Sequence, residues 1–125
     1  MAGVKKIVKS SAELAPFELD VIIDFAGFGT TTAGAVEAIK IGGRIVQVGL
    51  GASEMTLNTG LIVMKKIHLF GSLGGTIEDT QAVIDMMASG QLNIPTEAIE
   101  FDHIATGLDR LERGDVRGRL VAVTQ

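Results

Sequence analysis

The sequence has no cysteine, no tryptophan and no tyrosine, and only 2 of its 125 residues are proline. Without cysteine, the chain cannot build a disulfide framework, a thiolate zinc site or a cysteine nucleophile, and these three functional classes are excluded. Basic residues are also few, since the net charge is -4 and their densest group contains three residues, Lys5, Lys6 and Lys9. Affinity for nucleic acids depends largely on clustered Lys and Arg, so we expect no nucleic-acid partner.

Long apolar runs are absent as well. No stretch of about 18 apolar residues occurs, and no apolar signal segment follows the N-terminal lysines, so we expect neither a membrane partner nor a secretory signal. The chain is nevertheless 46% hydrophobic, which indicates short apolar segments packed into a core. No linker-like segment divides it. We therefore expect one domain over residues 1–125 and a cytoplasmic location.

Six short apolar segments rich in β-branched residues predict strands, at 4–8, 20–24, 44–48, 67–70, 98–101 and 118–123. Residues 21–23 and 120–123 leave no polar face, a pattern typical of parallel strands covered on both faces. Helices are expected from Thr31 to just before Gly42, and over 58–66, 77–89 and 103–113. This alternation predicts an α/β fold with a mainly parallel sheet.

Local signals mark the ends of two of these helices. Thr76 followed by Asp79 has the spacing of a capping box, and Gly90 is placed to end the same helix. Asp102 is the expected N-cap of the last helix, and Gly114 its stop. These residues predict where the helices begin and end.

Three predicted strands end in turns that contain glycine, at 25–27, 48–51 and 71–75. In open parallel sheets, ligands bind beyond the carboxyl ends of the strands, and small residues there let a flat cofactor approach the backbone. The alternative is structural: Gly27 and Gly29 permit a short turn, and Gly34 lets the helix pack closely on the sheet. The first turn lacks a full GxGxxG pattern, because Thr32 stands in place of the third glycine.

Titratable residues offer little chemistry in this sequence. His68 and His103 are far apart and have no acidic partner at ligand spacing, so neither a metal site nor a catalytic triad is predicted. Asp24, at a strand end, could bind a ribose hydroxyl or, as is more common, cap the following turn. Arg117 and Arg119 could reach a diphosphate or remain a solvated pair.

Four segments in collinear order resemble the medium-chain dehydrogenase/reductase family, specifically its zinc-type alcohol dehydrogenases: 20–27, 38–50, 66–72 and 114–123. The resemblance implies a partial Rossmann-type, doubly wound α/β fold with flanking helices. Residues 3–90 would form the C-terminal part of a dinucleotide-binding domain. Residues 91–125 would form the family's C-terminal strand-helix-strand segment.

The resemblance also implies roles at the cofactor for the turns named above. The first turn would lie against the adenosine ribose, the second beside the nicotinamide ring, and the backbone of the third would hold the carboxamide. Arg119, or else Arg117, would be directed at the pyrophosphate. The implied cofactor-binding residues are Phe25, Ala26, Gly27, Val48, Gly49, Leu50, Ser72, Leu73, Gly74 and Arg119.

The family therefore implies the cofactor-binding portion of an NAD- or NADP-dependent oxidoreductase. The zinc ligands and the GxGxxG turn of family members have no counterpart here, so we expect a truncated domain without catalytic residues that binds the dinucleotide weakly or not at all. Two alternatives remain open: a non-catalytic nucleotide-binding or dimerisation module, and part of a zinc-independent quinone reductase.

The missing neighbour strands predict one further property. Without them the edge of residues 20–24 is unpaired, which invites a homo-oligomer, through dimerisation or strand exchange, or a shift of strand 4–8 against that edge.

Overall fold

The computed structural model describes residues 3–124, in two compact units that meet in sequence between Gly74 and Gly75. The first unit contains β1 (Val21–Asp24), α1 (Gly29–Ala38), β2 (Arg44–Gln47), α2 (Thr59–Met64) and β3 (His68–Gly71), preceded by a 3₁₀ helix at Ser11–Phe17. The second contains α3 (Ile77–Ala88), β4 (Thr96–Glu100), a 3₁₀ turn at Phe101–His103, α4 (Ile104–Glu112) and β5 (Arg119–Val123). The expectation of a single domain stays a prediction. No helix within residues 3–124 has the length and apolar character to cross a membrane.

The first unit is built on a parallel sheet in the order β1-β2-β3. Ile22 lies opposite Ile45 in the register, and Ile45 lies opposite Leu69. A helix connects each pair of neighbouring strands, as parallel strands require. The α/β fold with a mainly parallel sheet is therefore confirmed.

Both helices of this unit cover the same face of the sheet. Val36 and Ile39 of α1 pack with the fully buried Ile45 of β2, and α2 adds partly buried side chains to this core. On the opposite face, Ile23 is 52% exposed and Phe70 is 48% exposed. The prediction that the strands are buried on both faces is therefore wrong within this unit, because both crossover helices lie on one side.

The N-terminal region differs most from expectation. Residues 4–8 form no strand, and the 3₁₀ helix at Ser11–Phe17 was not predicted. A side chain at Gly34 would overlap the Ser11 hydroxyl, so Gly34 allows this 3₁₀ helix, and not the sheet, to approach α1. Within residues 3–124, β1 pairs only with β2, so the predicted shift of strand 4–8 against β1 is wrong. An extended segment without a neighbouring strand cannot form the backbone hydrogen bonds of a sheet.

Local capping decides where two helices begin. Asn58 caps α2, because its Oδ1 accepts a hydrogen bond from Leu61 N, and Gly60 does not interrupt the helix. α3 has the predicted capping box: Thr76 Oγ1 accepts from Asp79 N at 3.1 Å, and Asp79 Oδ2 accepts from Thr76 N at 2.9 Å. The capping box was readable in the sequence because it involves neighbouring residues only, whereas the Asn58 cap was not predicted.

In the second unit, β4 and β5 are parallel, with Thr96 opposite Arg119. Gly107 brings α4 close to these strands, since a Cβ there would lie 2.9 Å from Ile99 Cδ1. Asp102 is not the N-cap of α4: a 3₁₀ turn precedes the helix, and His103 takes the cap position without a side-chain hydrogen bond. Gly114 adopts a φ of +73° after the helix, as expected for its stop.

Candidate functional site

Asp24 organises the turn that leaves the carboxyl end of β1. Its Oδ1 accepts hydrogen bonds from Ala26 N at 3.0 Å and Gly27 N at 2.9 Å. Its Oδ2 accepts from the hydroxyls of Thr31 at 2.9 Å and Thr32 at 2.7 Å. The buried carboxylate therefore caps the turn and ties it to α1, which is the second of the two roles considered for Asp24.

These contacts set the charge state of Asp24. Burial raises the pKa of the carboxyl, but the hydrogen bonds from Gly27 N, the two threonine hydroxyls and Ala26 N outweigh it and hold the pKa below its ordinary value. Asp24 is therefore ionised at neutral pH. Both of its oxygens are engaged within the protein, so the carboxylate acts on a ligand only by shaping the turn.

The first and second turns pack backbone against backbone. Gly51 N donates to Ala26 O at 3.1 Å, and Ala52 N donates to Gly27 O at 3.0 Å. A Cβ at Gly27 would overlap the carbonyl group of Gly49, and a Cβ at Gly51 would lie 2.6 Å from Ala26 O. These glycines are thus needed for contact between turns, and this contact, not the approach of a ligand, explains their lack of side chains.

The third turn is different, because two of its glycines, Gly71 and Gly74, meet no neighbour. A Cβ at Gly71 or at Gly74 would find no heavy atom within 4 Å. Gly74 has a φ of +58°, which favours glycine by itself, but Gly71 has no such constraint. Ser72 N donates to Gln47 O at 2.9 Å and fixes this turn to β2. The open space beside Gly71 is therefore available to a ligand.

An open depression of about 500 Å³ lies at the carboxyl ends of β2 and β3. Both Leu50 and Leu73 are largely exposed at its border. Its lining brings together four residues predicted for the nicotinamide side, together with four others: Val48, Leu50, Ser72 and Leu73, with Gln47, Leu69, Phe70 and Gly71. An apolar lining with a few polar groups is typical of a cofactor site.

The other predicted residues fall in three places. Phe25 and Ala26 are exposed on the first turn, whereas Gly27 is buried and its N–H is taken by Asp24. Gly49 lies at the contact between the first two turns. Arg119 begins β5 in the second unit, where its backbone N–H donates to Pro95 O at 2.9 Å, and Arg117 lies two residues earlier.

Sequence reasoning missed two contributors to this edge of the sheet. Gln47 lines the depression, and its Nε2 makes one long hydrogen bond, of 3.5 Å, to Gly49 O. Phe28 lies at the start of α1 with an exposed ring. The alternation of side chains along β2 could have indicated Gln47, whereas nothing in the sequence distinguishes Phe28 from the other phenylalanines.

Metal ligands are not assembled in the part of the chain that the structure describes. No three His, Asp or Glu side chains of residues 3–124 come together around a common point. His68 instead stacks on Phe70, with ring centroids 6.2 Å apart. The residues present here therefore do not fit a zinc ion.

Comparison with known proteins gives a family and several relatives. The family model for zinc-binding dehydrogenases matches residues 2–89. A probable cinnamyl alcohol dehydrogenase of Pinus radiata is 29% identical over 103 residues, which cover 82% of this chain and 29% of that protein. An alcohol dehydrogenase of Geobacillus stearothermophilus is 31% identical over 87 residues, 70% of this chain and 26% of that protein.

A solved structure supports the same relationship. Acetophenone reductase from Geotrichum candidum, in complex with NAD, superposes with a TM-score of 0.80 and 28% identity over 86% of this chain and 31% of that one. The chain thus spans less than a third of the length of these relatives. It belongs to the zinc-binding dehydrogenase family, the zinc-type alcohol dehydrogenases of the medium-chain dehydrogenase/reductase group that its motifs resemble.

Proposed function

We propose that this chain provides part of the nicotinamide dinucleotide site of an NAD(P)-dependent oxidoreductase of the alcohol dehydrogenase type. The observation that carries the proposal is the depression at the carboxyl ends of β2 and β3, where Gly71 leaves space that no internal contact uses. Ligands of open parallel sheets bind at this edge. The likeness to the acetophenone reductase structure in complex with NAD supports the same assignment.

The nicotinamide end would lie in this depression. The exposed side chains of Leu50 and Leu73 would cover the ring and exclude water, and Val48 would add to the same apolar lining. Because Ser72 N already donates to Gln47 O, we assign the carboxamide to the backbone of Leu73 and Gly74 and to the Ser72 hydroxyl. When bound, the dinucleotide would supply hydride acceptance at its nicotinamide ring.

The adenosine ribose would lie at the first turn, against Phe25 and Ala26. Gly27 would act indirectly, because its buried backbone holds the turn against Gly49. Arg119 would serve the pyrophosphate, as the family resemblance implies.

The role of the isolated chain would be binding and not catalysis. Its described residues place no general base beside the depression, whose polar side chains are only Gln47 and Ser72. In a complete dehydrogenase, hydride would pass between an alcohol carbon and the nicotinamide. We propose weak dinucleotide binding by this chain alone, in the cytoplasm.

A second candidate function, dimerisation, is favoured by β3. Among residues 3–124, this strand pairs with β2 on one side only, and its Leu69 and Phe70 are more than two-fifths exposed. A free strand edge with apolar neighbours is a template for pairing with a second copy. We therefore propose a homo-oligomer, with nucleotide binding and dimerisation compatible in one chain.

Two measurements test these functions separately. Saturation-transfer NMR at millimolar NAD or NADP should transfer magnetisation to the nicotinamide and adenine protons, and no transfer with either dinucleotide would reject the binding function. Sedimentation velocity should show a species heavier than the 13.1 kDa monomer. A monomer at all concentrations would reject the dimerisation function without touching the first.

A further inference from the structure

β1 lies at one edge of its sheet, and the backbone on its outer side is unpaired. On the inner side, Arg44 N of β2 donates to Asp20 O at 2.9 Å. In a parallel ladder, alternate residues bond to the same neighbour, so Val21 and Ile23 direct their N–H and C=O groups away from β2. Within residues 3–124, no other strand pairs with these groups. The outer edge of β1 is therefore a template for one more strand.

An open depression of about 460 Å³ lies beside this edge. Its apolar lining includes Leu14 of the 3₁₀ helix, Ile22 and Ile23 of β1, and Ala35 of α1. Serine and threonine residues line most of the remainder. The depression can therefore receive both the apolar side chains and the hydrogen-bonding backbone of an added strand.

Residues 4–8 have the side chains of a strand but no partner. They include three β-branched apolar residues and adopt no regular structure. Val4 is 54% exposed, and Ile7 is 74% exposed. Among residues 3–124, no backbone group of this segment makes a hydrogen bond. The segment is thus free to pair with a sheet edge.

The contacts that hold this segment in its own chain lead to the 3₁₀ helix and not to β1. Lys6 Nζ lies 4.7 Å from the centroid of the Phe17 ring. At the end of the segment, Lys9 N donates to Glu13 Oε1 at 3.2 Å. A single exposed cation–π contact is weak, so the segment can leave the 3₁₀ helix at little cost.

The charges of the segment and of the edge are complementary. Lys5 and Lys6 form no salt bridge within residues 3–124, and neither does the exposed Glu18, three residues before β1. Opposite charges on neighbouring strands favour their pairing. A segment that carries lysines beside its apolar residues therefore suits this edge.

We propose that residues 4–8 of a second copy of this chain add to the outer edge of β1, so that two copies exchange these segments reciprocally. Such an exchange is two-fold symmetric, because each copy supplies one strand and one edge. It goes beyond the dimerisation proposed above, since β3 lies at the opposite edge of the sheet. Either interface can form without the other.

Paramagnetic broadening tests the contact directly. The chain has no cysteine, so a single introduced cysteine takes up a nitroxide at one position only. When ¹⁵N-labelled unaltered chain is mixed with nitroxide-labelled Val4→Cys chain at natural isotope abundance, only contacts between copies broaden the amide signals. We expect broadening at Val21–Asp24. Val83→Cys is the matched control, because Val83 is 44% exposed on α3, and it should leave these signals sharp.

A pair of proline variants gives an independent readout. Ile7→Pro removes a backbone donor that the added strand needs, so it should abolish the broadening at β1 and lower the average mass in sedimentation velocity. Ile77→Pro is the control and should change neither. Ile77 is 84% exposed and is the first residue of α3, a position where proline is tolerated. Circular dichroism of each variant checks that the fold is kept.

Three results would overturn the inference. Broadening between copies at His68–Gly71 but not at Val21–Asp24 would place the segment at β3. Broadening of β1 only when one chain carries both labels would show that the segment reaches the edge of its own copy. No broadening between copies at millimolar concentration would show that no exchange takes place. None of these results bears on dinucleotide binding, which saturation-transfer NMR measures separately.

Discussion

Gly27 lies against the carbonyl group of Gly49, so closely that a Cβ at residue 27 would overlap the carbonyl oxygen. The turns after β1 and β2 therefore form one packed structure, supported by the hydrogen bonds of Asp24 to the first turn. The contacts that shape this edge of the sheet thus lie within the chain. The stability of this edge can be tested at Gly27, and the proposed ligand binding can be tested at Gly71.

The contact between the turns predicts a large loss of stability for Gly27→Ala. Gly42→Ala is the control, because Gly42 also has a positive φ, of +74°, but no atom near a Cβ. The control should lower the free energy of unfolding by about 1–2 kcal/mol, the cost of a left-handed alanine. Gly27→Ala should lose about 3 kcal/mol or more, because the backbone of Gly49 must move. Equal losses in urea unfolding followed by circular dichroism would show that the two turns do not touch.

The lowered pKa of Asp24 should make the stability of the fold depend on pH. Its pKa is lower in the folded chain than in the unfolded chain, so its stabilising effect is complete above the unfolded value of about 3.9 and is lost as the pH falls through the lower folded value. Asp24→Asn should therefore cost about 2 kcal/mol at neutral pH, and this difference should shrink in acid. The exposed Asp20, which pairs with Lys40, provides the control variant Asp20→Asn, whose effect should be smaller. A difference between Asp24→Asn and the unaltered chain that stays constant down to strongly acidic pH would contradict this account.

Lys65, at the end of α2, links this helix to the end of α1. Its Nζ donates to Glu37 O at 2.7 Å and Ile39 O at 3.0 Å, the carbonyl groups at the end of α1. Lys65→Met keeps the apolar stem but removes these bonds, and should lower the free energy of unfolding by about 1–2 kcal/mol. The neighbouring Lys66→Met should change it by less than about 0.5 kcal/mol. Thermal unfolding curves that coincide for the two variants would remove Lys65 from this role.

The variant Gly71→Ala should weaken ligand binding without lowering the stability of the fold. Gly71→Ala places a methyl group in open space, so the melting temperature should stay the same or rise slightly, while the affinity for NAD should fall about tenfold. Gly60→Ala, in α2 and outside the depression, should leave affinity unchanged. If Gly71→Ala binds NAD as well as the unaltered chain does, the depression is not the nicotinamide site.

Local patterns in the sequence were sufficient for much of the fold. The capping box of Thr76 and Asp79 acts over three residues, and the alternation of apolar strands with helices predicts that β1 and β2 are parallel. The strand ends that carry the site followed from these assignments, because parallel strands present their carboxyl ends on one edge.

The remaining features depend on distant contacts. Residues 4–8 have the composition of a strand, but a strand needs a neighbour, and none pairs with them within residues 3–124. Gly51 must lack a side chain because Phe28 and Ala26, from another turn, pack against its backbone. Sequence spacing gives no information on such an approach, so the same glycines were open to either interpretation.

The most direct test of dinucleotide binding at this sheet edge is a titration of the ¹⁵N-labelled chain with NAD, followed residue by residue in its amide NMR spectrum. We predict progressive shifts at Leu50, Leu73 and Gly74, with smaller shifts at Ala26. The amides of α4 should serve as the unperturbed reference. Shifts confined to other parts of the chain, or none at millimolar NAD, would contradict the account.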